Sequence, residues 1–380
     1  MILHIVSDEK FIDDGVALFR RAGGEHAAVV VAKERAPLKH IQRTPTDCVT
    51  RGEVWRPAFV RRVRGMQAVV FHGLGFEALA VLRMLIVTGY RGKVAWLGWG
   101  YDYYDLLAAH GFESYEPETR ARFGAGEGSR TPARRAFDAA WRLMGLDKAR
   151  AVRRFEFFAP VLREDDALLR RALGAAFTAR YVRWNYGYDF DALAAGFEPA
   201  AGDDVLVGNS ATPTNNHLEI FTLLAGVDLG ARRVVVPLSY GDAAYRDAMV
   251  AAGRRLLGER FHPLLGFVPL REFNHTLARC SHVIMNHRRQ QGAGTVFLAM
   301  ERGARVFLNA ASALYLSLRA GGFHVDSVAA LAADPALLAR PLGPSEVGEN
   351  RRLLRAEYGV ERCLQNTRAL LAALSDGAAL

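Results

Sequence analysis

The residues best equipped for chemistry run from Ile284 to Thr295: Ile-Met-Asn286-His287-Arg288-Arg289-Gln290-Gln291-Gly292-Ala-Gly294-Thr295. The apolar residues before them read as a strand, 296–302 as a helix stopped by Gly303, and 304–309 as the next strand. Glycines let a backbone approach a ligand closely, Thr295 is placed to cap the helix, and free amides at a helix start attract phosphate oxygens. Arg288 or Arg289, just before the loop, would neutralise charge building on a departing nucleotide diphosphate. A tight turn whose glycines serve geometry alone is the plainer alternative. Paired glutamines and arginines at a helix start favour the phosphate.

A second polar loop, Gly208-Asn209-Ser210-Ala-Thr-Pro-Thr214-Asn215-Asn-His217, follows an earlier apolar run. Ligands in open parallel sheets collect beyond the carboxyl ends of strands, so this loop is expected to face the glycine loop. Helix capping by Thr214 or Asn215 is the structural alternative.

In the first half, Gly73-Leu-Gly75-Phe-Glu-Ala78 reads literally as a dinucleotide fingerprint and makes an NAD-dependent oxidoreductase a rival class. The fingerprint belongs on the first strand with an acid about 20 residues on, and this one follows a later strand with no such acid. Farther along, Trp99-Gly100-Tyr-Asp102 closes another strand in an aromatic loop. Burial there would shift Asp102 toward a useful general base, with neighbouring rings stacking on sugar faces; capping the next helix is the alternative. His72 and His4, at neighbouring strand ends, rank below Asp102 as bases or acceptor-hydroxyl ligands, because a lone histidine is more often a packed, hydrogen-bonded residue. Asp189-Phe-Asp191 resembles an Asp-x-Asp metal signature but lies in the expected linker, so no metal is assigned to it.

These groups need a scaffold, and apolar runs at 2–6, 27–31, 68–72 and 94–99 alternate with helix-length segments. After a polar passage at 194–204 the alternation restarts at 205–208, 233–237, 282–286 and 304–309. A chain of 380 residues exceeds one ordinary core. The expectation is therefore α/β: two doubly wound Rossmann-type domains, 1–195 and 196–380, facing a central cleft, with an amphipathic terminal helix at 345–373 packing back.

Composition narrows the classes. Hydrophobic content of 51% with 23% charged residues is globular. Cys48, Cys280 and Cys363 are odd in number and far apart, against a disulfide framework or a cysteine zinc site. The first residues lack the basic start and apolar core of a signal peptide, and the stretch 76–90, broken by Glu77 and Arg83, is shorter than the ~20 apolar residues of a spanning helix. The net charge of +9 gathers in arginines at 51–64 and 130–154, suited to phosphate or anionic lipid, or simply to a solvated face. No nucleic-acid-binding motif accompanies them.

With these segments in place the chain resembles the TDP-4-acetamido-4,6-dideoxygalactose:lipid II transferases, the 4-acetamidofucosyl transferases of enterobacterial common antigen synthesis, glycosyltransferase family 56. The resemblance runs from the first strand to at least Asn309. It is carried by His4 with Ser7-Asp8, Phe71-His72-Gly73, Trp99-Gly100-x-Asp102, Val207-Gly208-Asn209-Ser210 with Asn215 and His217, Val234-Val235-Val236-Pro237 with Tyr240, and Arg289-Gln290-Gln291-Gly292-x-Gly294-Thr295 with Asn309. Where the family has a histidine two positions before the tryptophan of Trp-Gly-x-Asp, this chain has Leu97, so fold and reaction class transfer better than donor or acceptor identity.

The resemblance implies a GT-B-like fold, a dTDP-sugar donor such as Fuc4NAc, a polyprenyl-diphosphate-linked glycan acceptor, no cofactor or essential metal, and a cytoplasmic protein peripheral to the inner membrane. It implies donor binding by Gly208, Asn209, Ser210, Asn215, His217, Pro237, Tyr240, Arg288, Gln290, Gln291, Gly292, Gly294 and Thr295, with Arg289 supporting the leaving group. Acceptor binding falls to His4, Ser7, Asp8, Gly73, Trp99 and Gly100, with Asp102, then His72, as base. The rivals are a nucleotide-sugar epimerase of the same architecture, the NAD-dependent oxidoreductase, and a basic membrane- or nucleic-acid-binding protein.

Overall fold

A computed structural model describes residues 1–124, 132–191 and 202–375. Among them, two compact units form. The first combines described residues 1–112, 132–188 and 358–375; the second combines 113–124, 189–191 and 202–357.

The first unit carries a parallel sheet of β1 (Ile2–Val6), β2 (His26–Ala32), β3 (Thr46–Thr50), β4 (Ala68–His72), β5 (Lys93–Leu97), β6 (Phe157–Ala159) and β7 (Arg180–Tyr181), in the order β3-β2-β1-β4-β5-β6-β7. The second carries β8 (Asp204–Val207), β9 (Val234–Pro237), β10 (Phe261–Leu264), β11 (Cys280–Met285), β12 (Arg305–Leu308) and β13 (Asp326–Ser327), in the order β10-β9-β8-β11-β12-β13, again parallel. The central strands read as continuous apolar runs because both sheet faces are covered. All five residues of β1 and of β4 are buried, His4 and His72 included. In each sheet the strand order reverses at one pair, β1 and β4 in the first, β8 and β11 in the second. The carboxyl ends of such a pair are where an open α/β sheet holds ligands.

Helices of the two units include α1 (Ile12–Ala22), α2 (Phe76–Val87), α3 (Pro132–Leu143), α4 (His217–Ala225), α5 (Ala293–Glu301) and α6 (Val360–Ser375). The stretch near residue 76 is the core helix α2, and its Arg83 is buried because Nε donates to Leu146 O at 2.9 Å while the guanidinium lies 4.1 Å from the Trp141 ring centre. No helix among the described residues is long and apolar enough to cross a membrane.

The division of the chain differs from two contiguous halves. The expected boundary at 195 lies outside the described residues. Helix α6 joins the first unit, where Leu370 and Leu374 pack with Ile2, Phe19, Ala95 and Trp184 beneath the sheet. Segment 113–124 joins the second, where Phe123 meets Tyr245 edge-on at 4.8 Å. Both segments follow their apolar side chains into the core that buries them.

Leu370 is fully buried. Leu370→Ala should cost about 2–5 kcal/mol by the usual price of a core cavity. Urea unfolding measures it; a loss below about 1 kcal/mol, within the range of a surface change, would mean α6 is not part of this core.

Candidate active site

In the second unit the loops after β8 and β11 are brought together as expected. Asn215 organises them. Its Oδ1 accepts from Asn209 N at 2.9 Å and from His287 Nε2 at 2.7 Å, while its Nδ2 donates to Ser210 O at 2.9 Å and Thr212 Oγ1 at 2.8 Å. Gln291 adds a second tie: Nε2 donates to Asn209 Oδ1 at 2.9 Å and Thr212 Oγ1 at 3.1 Å, and Oε1 accepts from Thr214 Oγ1 at 2.7 Å. Arg289 Nε donates to Thr214 Oγ1 at 3.2 Å. Gly208 makes the packing possible: at φ +69° a side chain is disfavoured, and a Cβ would lie 2.4 Å from His217 Nε2 and 2.8 Å from Asn215 Oδ1.

Helix α5 begins at Ala293 with Gly292 at its N-cap, φ 66°, and no side chain caps it. Thr295 therefore lies within the first turn and is not the cap: the left-handed glycine turns the chain early and starts the helix ahead of the threonine. Gly292, Gly294 and Thr295 are half-buried at this start.

Pro237 is buried at the end of β9, while the Tyr240 ring is exposed and its carbonyl accepts from Ala211 N at 2.7 Å, tying that loop to the one after β8. His217 is buried at the start of α4, with Nδ1 against Tyr245 Oη at 2.9 Å, and burial holds it neutral, its pKa down to about 3. Two polar atoms beside the glycine loop, Gln290 Oε1 and Arg288 Nε, are buried without a hydrogen-bond partner among the described residues. Such atoms are rare and point to complements outside the chain.

Several second-unit residues were not singled out from sequence. His287 is neutral, its pKa lowered to about 3 chiefly by burial, and serves as a donor that fixes Asn215. Asn216, the one non-glycine residue with positive φ among those described, donates to Asn286 O at 2.9 Å and accepts from Glu116 N at 2.9 Å. Glu116 also accepts from Asn309 Nδ2 at 2.8 Å and stands 3.8 Å from Arg288. A carboxylate from a segment more than 100 residues upstream thus sits at these strand ends. Side-chain amides next to loop glycines were the available signal for the asparagines; nothing local marks Glu116.

In the first unit, Asp102 is buried and does not cap the next helix. The following short helix, Tyr104–Ala108, has Tyr103 at its N-cap and no side-chain cap. Asp102 turns inward instead: Oδ2 accepts from Leu74 N at 2.8 Å and Trp96 Nε1 at 2.7 Å, and Oδ1 accepts from Trp99 N at 2.7 Å. Burial outweighs these donors and the charge of Lys148, so the pKa of Asp102 is raised above the usual carboxylate range. The carboxylate is spent on clamping the loops after β4 and β5, which positions Gly73, Trp99 and Gly100. Asp8 is similarly occupied, accepting from the amides of Lys39, His40 and Ile41. Ser7 is half-buried after β1.

His4 and His72 are not separate strand-end residues but bonded neighbours, Nδ1 to Nε2, at 2.9 Å. Asp191, of the Asp-x-Asp sequence, pairs with Arg355 at 3.1 Å.

Solved structures share this architecture over almost the whole chain. HepE of Anabaena, crystallised in complex with UDP-glucose, is 14% identical with a TM-score of 0.66, and the match covers 98% of this chain and 99% of that one. Sucrose-phosphate synthase from Thermosynechococcus elongatus is 15% identical at a TM-score of 0.64, with the same coverage. A glycosyltransferase from Rickettsia africae ESF-5 is 10% identical at a TM-score of 0.66, covering 99% of this chain and 98% of that one.

Fold and strand-end loops together define a glycosyltransferase of the GT-B class. In the second unit, residues 194–325 match the family described as 4-alpha-L-fucosyltransferase, glycosyl transferase group 56.

Two outcomes follow from the buried carboxylates. Asp102→Asn would turn an NH2 toward a backbone or indole N–H and should lower stability by about 1–3 kcal/mol, the cost of an unmatched buried polar group; a melting temperature equal to wild type would refute the clamp. Asp165 accepts from Tyr103 Oη at 2.6 Å and Tyr104 Oη at 2.7 Å, and burial lifts its pKa to about 7. The folded state then binds more protons than the unfolded state between about pH 4 and 7, so this group's stabilisation is lost as pH rises through that window. Asp165→Asn should flatten the stability profile there, measured by urea unfolding at several pH values; an unchanged slope would contradict the assignment.

Proposed function

We propose that this enzyme transfers a deoxyamino sugar of the Fuc4NAc type from a dTDP-sugar to a lipid-diphosphate-linked glycan in bacterial surface polysaccharide synthesis, at the inner face of the membrane and without an essential metal. The observation that carries the donor half is the start of α5. An uncapped helix end beside a loop that presents Arg289 and Arg288, whose buried Nε donor has no partner among the described residues, is suited to a diphosphate. The pyrophosphate would lie on the amides of residues 293–295. Arg289 would offset the charge that collects on the nucleotide as the glycosidic bond to it breaks. The exposed ring of Tyr240 and the loop from Gly208 to Asn215 suit the base and ribose. The complex of HepE with UDP-glucose supports a nucleotide-sugar donor.

The acceptor half is assigned to the first unit. Its strand-end loops, held by Asp102, present Trp99 and the exposed Tyr101, aromatic faces of the kind that stack on sugars. The same unit also suits an anionic lipid surface. Phe137, Leu143 and Met144 are exposed on and just after α3, Trp141 of that helix stacks on Trp55 at 6.4 Å, and Arg56, Arg61, Arg64, Arg142 and Arg150 are exposed. Apolar side chains interspersed with arginines favour the headgroup boundary.

A thermal-shift panel of nucleoside diphosphates tests the donor site. A ligand that binds only the folded chain stabilises it by about 2.7 kcal/mol at 100 times its Kd, so dTDP should raise the Tm more than UDP, GDP or ADP. Arg289→Ala should lower kcat about a hundredfold, as for loss of a group that stabilises developing charge. A flat panel, or full kcat in the variant, would overturn the proposed donor site.

A further inference from the structure

We propose that His72, His4 and His26 form a proton relay through the first sheet, taking up the acceptor-hydroxyl proton at Tyr186 and delivering a proton to water at the sheet's opposite edge. The proposal rests on the transferase reading and supplies the proton acceptor that Asp102, engaged by three donors, does not.

The bonds form one unbroken series. Tyr186 Oη is 3.1 Å from His72 Nδ1; His72 Nε2 is 2.9 Å from His4 Nδ1; His4 Nε2 is 3.0 Å from His26 Nδ1; His26 Nε2 is 3.0 Å from Gly23 O. Its direction is fixed at the far end. A carbonyl only accepts, so His26 Nε2 carries a hydrogen and, in a neutral ring, Nδ1 accepts. The same logic makes His4 and His72 donors at Nε2 and acceptors at Nδ1, and makes the Tyr186 hydroxyl the donor to His72. The Tyr186 oxygen in turn accepts from Trp99 Nε1. Burial depresses the basicity of all three rings, so they stay neutral and in register.

The series also has two useful ends. His26 opens β2 and is half-buried; His4 is in mid-β1; His72 closes β4 at the point where the strand order reverses. It thus runs from the starting edge of the sheet to its ligand-binding edge, with each ring using both nitrogens. A histidine that merely fills a core needs no such continuity. Room for the tyrosine is provided by Gly15 of α1, where a Cβ would lie 2.7 Å from Tyr186 Cε1.

As the acceptor oxygen bonds to the anomeric carbon, the bond from that carbon to the diphosphate oxygen breaks and its electron pair leaves with the nucleotide. The acceptor proton passes to Tyr186 Oη, the tyrosine proton to His72 Nδ1, the His72 Nε2 proton to His4 Nδ1, the His4 Nε2 proton to His26 Nδ1, and the His26 Nε2 proton, once the half-buried ring releases its bond to Gly23 O, to solvent water. Each ring remains neutral in its other tautomer. After product release, a proton taken from water at His26 drives the reverse shift, and Tyr186 gives its proton to water.

His26 and His4 act through Tyr186, so the test must separate relay from support. His26→Gln keeps an amide oxygen to accept from His4 but cannot pass a proton on. It should retain the Tm and the donor KM, lower kcat at least about tenfold, in the range of lost acid–base assistance, and reduce the multi-proton solvent isotope effect to that of a single proton. His26→Ala should lose the same kcat and regain it with added imidazole. Nitrogen-15 spectra of the wild-type histidines should show neutral rings protonated at Nε2. Wild-type kcat and isotope effect in His26→Gln, absence of imidazole rescue, or an imidazolium at His4 would each overturn the relay while leaving the transferase intact. Failure of the wild type to transfer sugar from any nucleotide donor would instead sink the transferase reading, and the relay's task with it.

Discussion

The second unit depends on one side chain that joins two crossovers. Parallel strands leave their carboxyl ends without neighbours, and at β8 and β11 the chain departs in opposite directions, so nothing in the sheet itself fixes the two loops against each other. Asn215 does so through a single amide oxygen shared between the Asn209 N–H and the His287 ring. Because the cluster is buried, each bond must be satisfied or it costs stability. The loop conformation is thereby set before any ligand arrives, and preorganisation of this kind is what gives fixed dipoles their leverage on developing charge.

The first unit solves the same problem with a carboxylate. Asp102 collects donors from two loops and one strand, so the aromatic surface at this edge is anchored from within. The arrangement explains why an acid in an apparently catalytic position is inaccessible. A buried group whose oxygens already hold three donors is committed to the loops, and the proposed relay gives the proton to neighbours whose ring nitrogens are arranged in series.

Much of this was legible in the sequence. Buried strands β1 and β4 declare themselves as apolar runs, and the glycine loop with its paired arginines and glutamines marks the uncapped start of α5. What escaped was non-local or chemically disguised. β3, Thr46–Thr50, is a polar edge strand, and β10 contains Pro263, which only an edge tolerates. Glu116 reaches its site through a tertiary excursion that no spacing encodes. His26 and Tyr186 look ordinary alone; only the register that sets Ile2 opposite His26 and His4 opposite Val70 aligns them with His72.

The return of α6 to the first unit has a consequence for biosynthesis. Residues 358–375 close the core over Ile2, Phe19 and Trp184, yet they are the last described part of the chain to leave the ribosome. The earliest-made sheet therefore waits, its lower face uncovered, while the whole intervening lobe is translated and becomes free to collapse by itself. Such a chain matures out of order, its beginning last, and its most vulnerable interval for aggregation or chaperone capture falls between the two events.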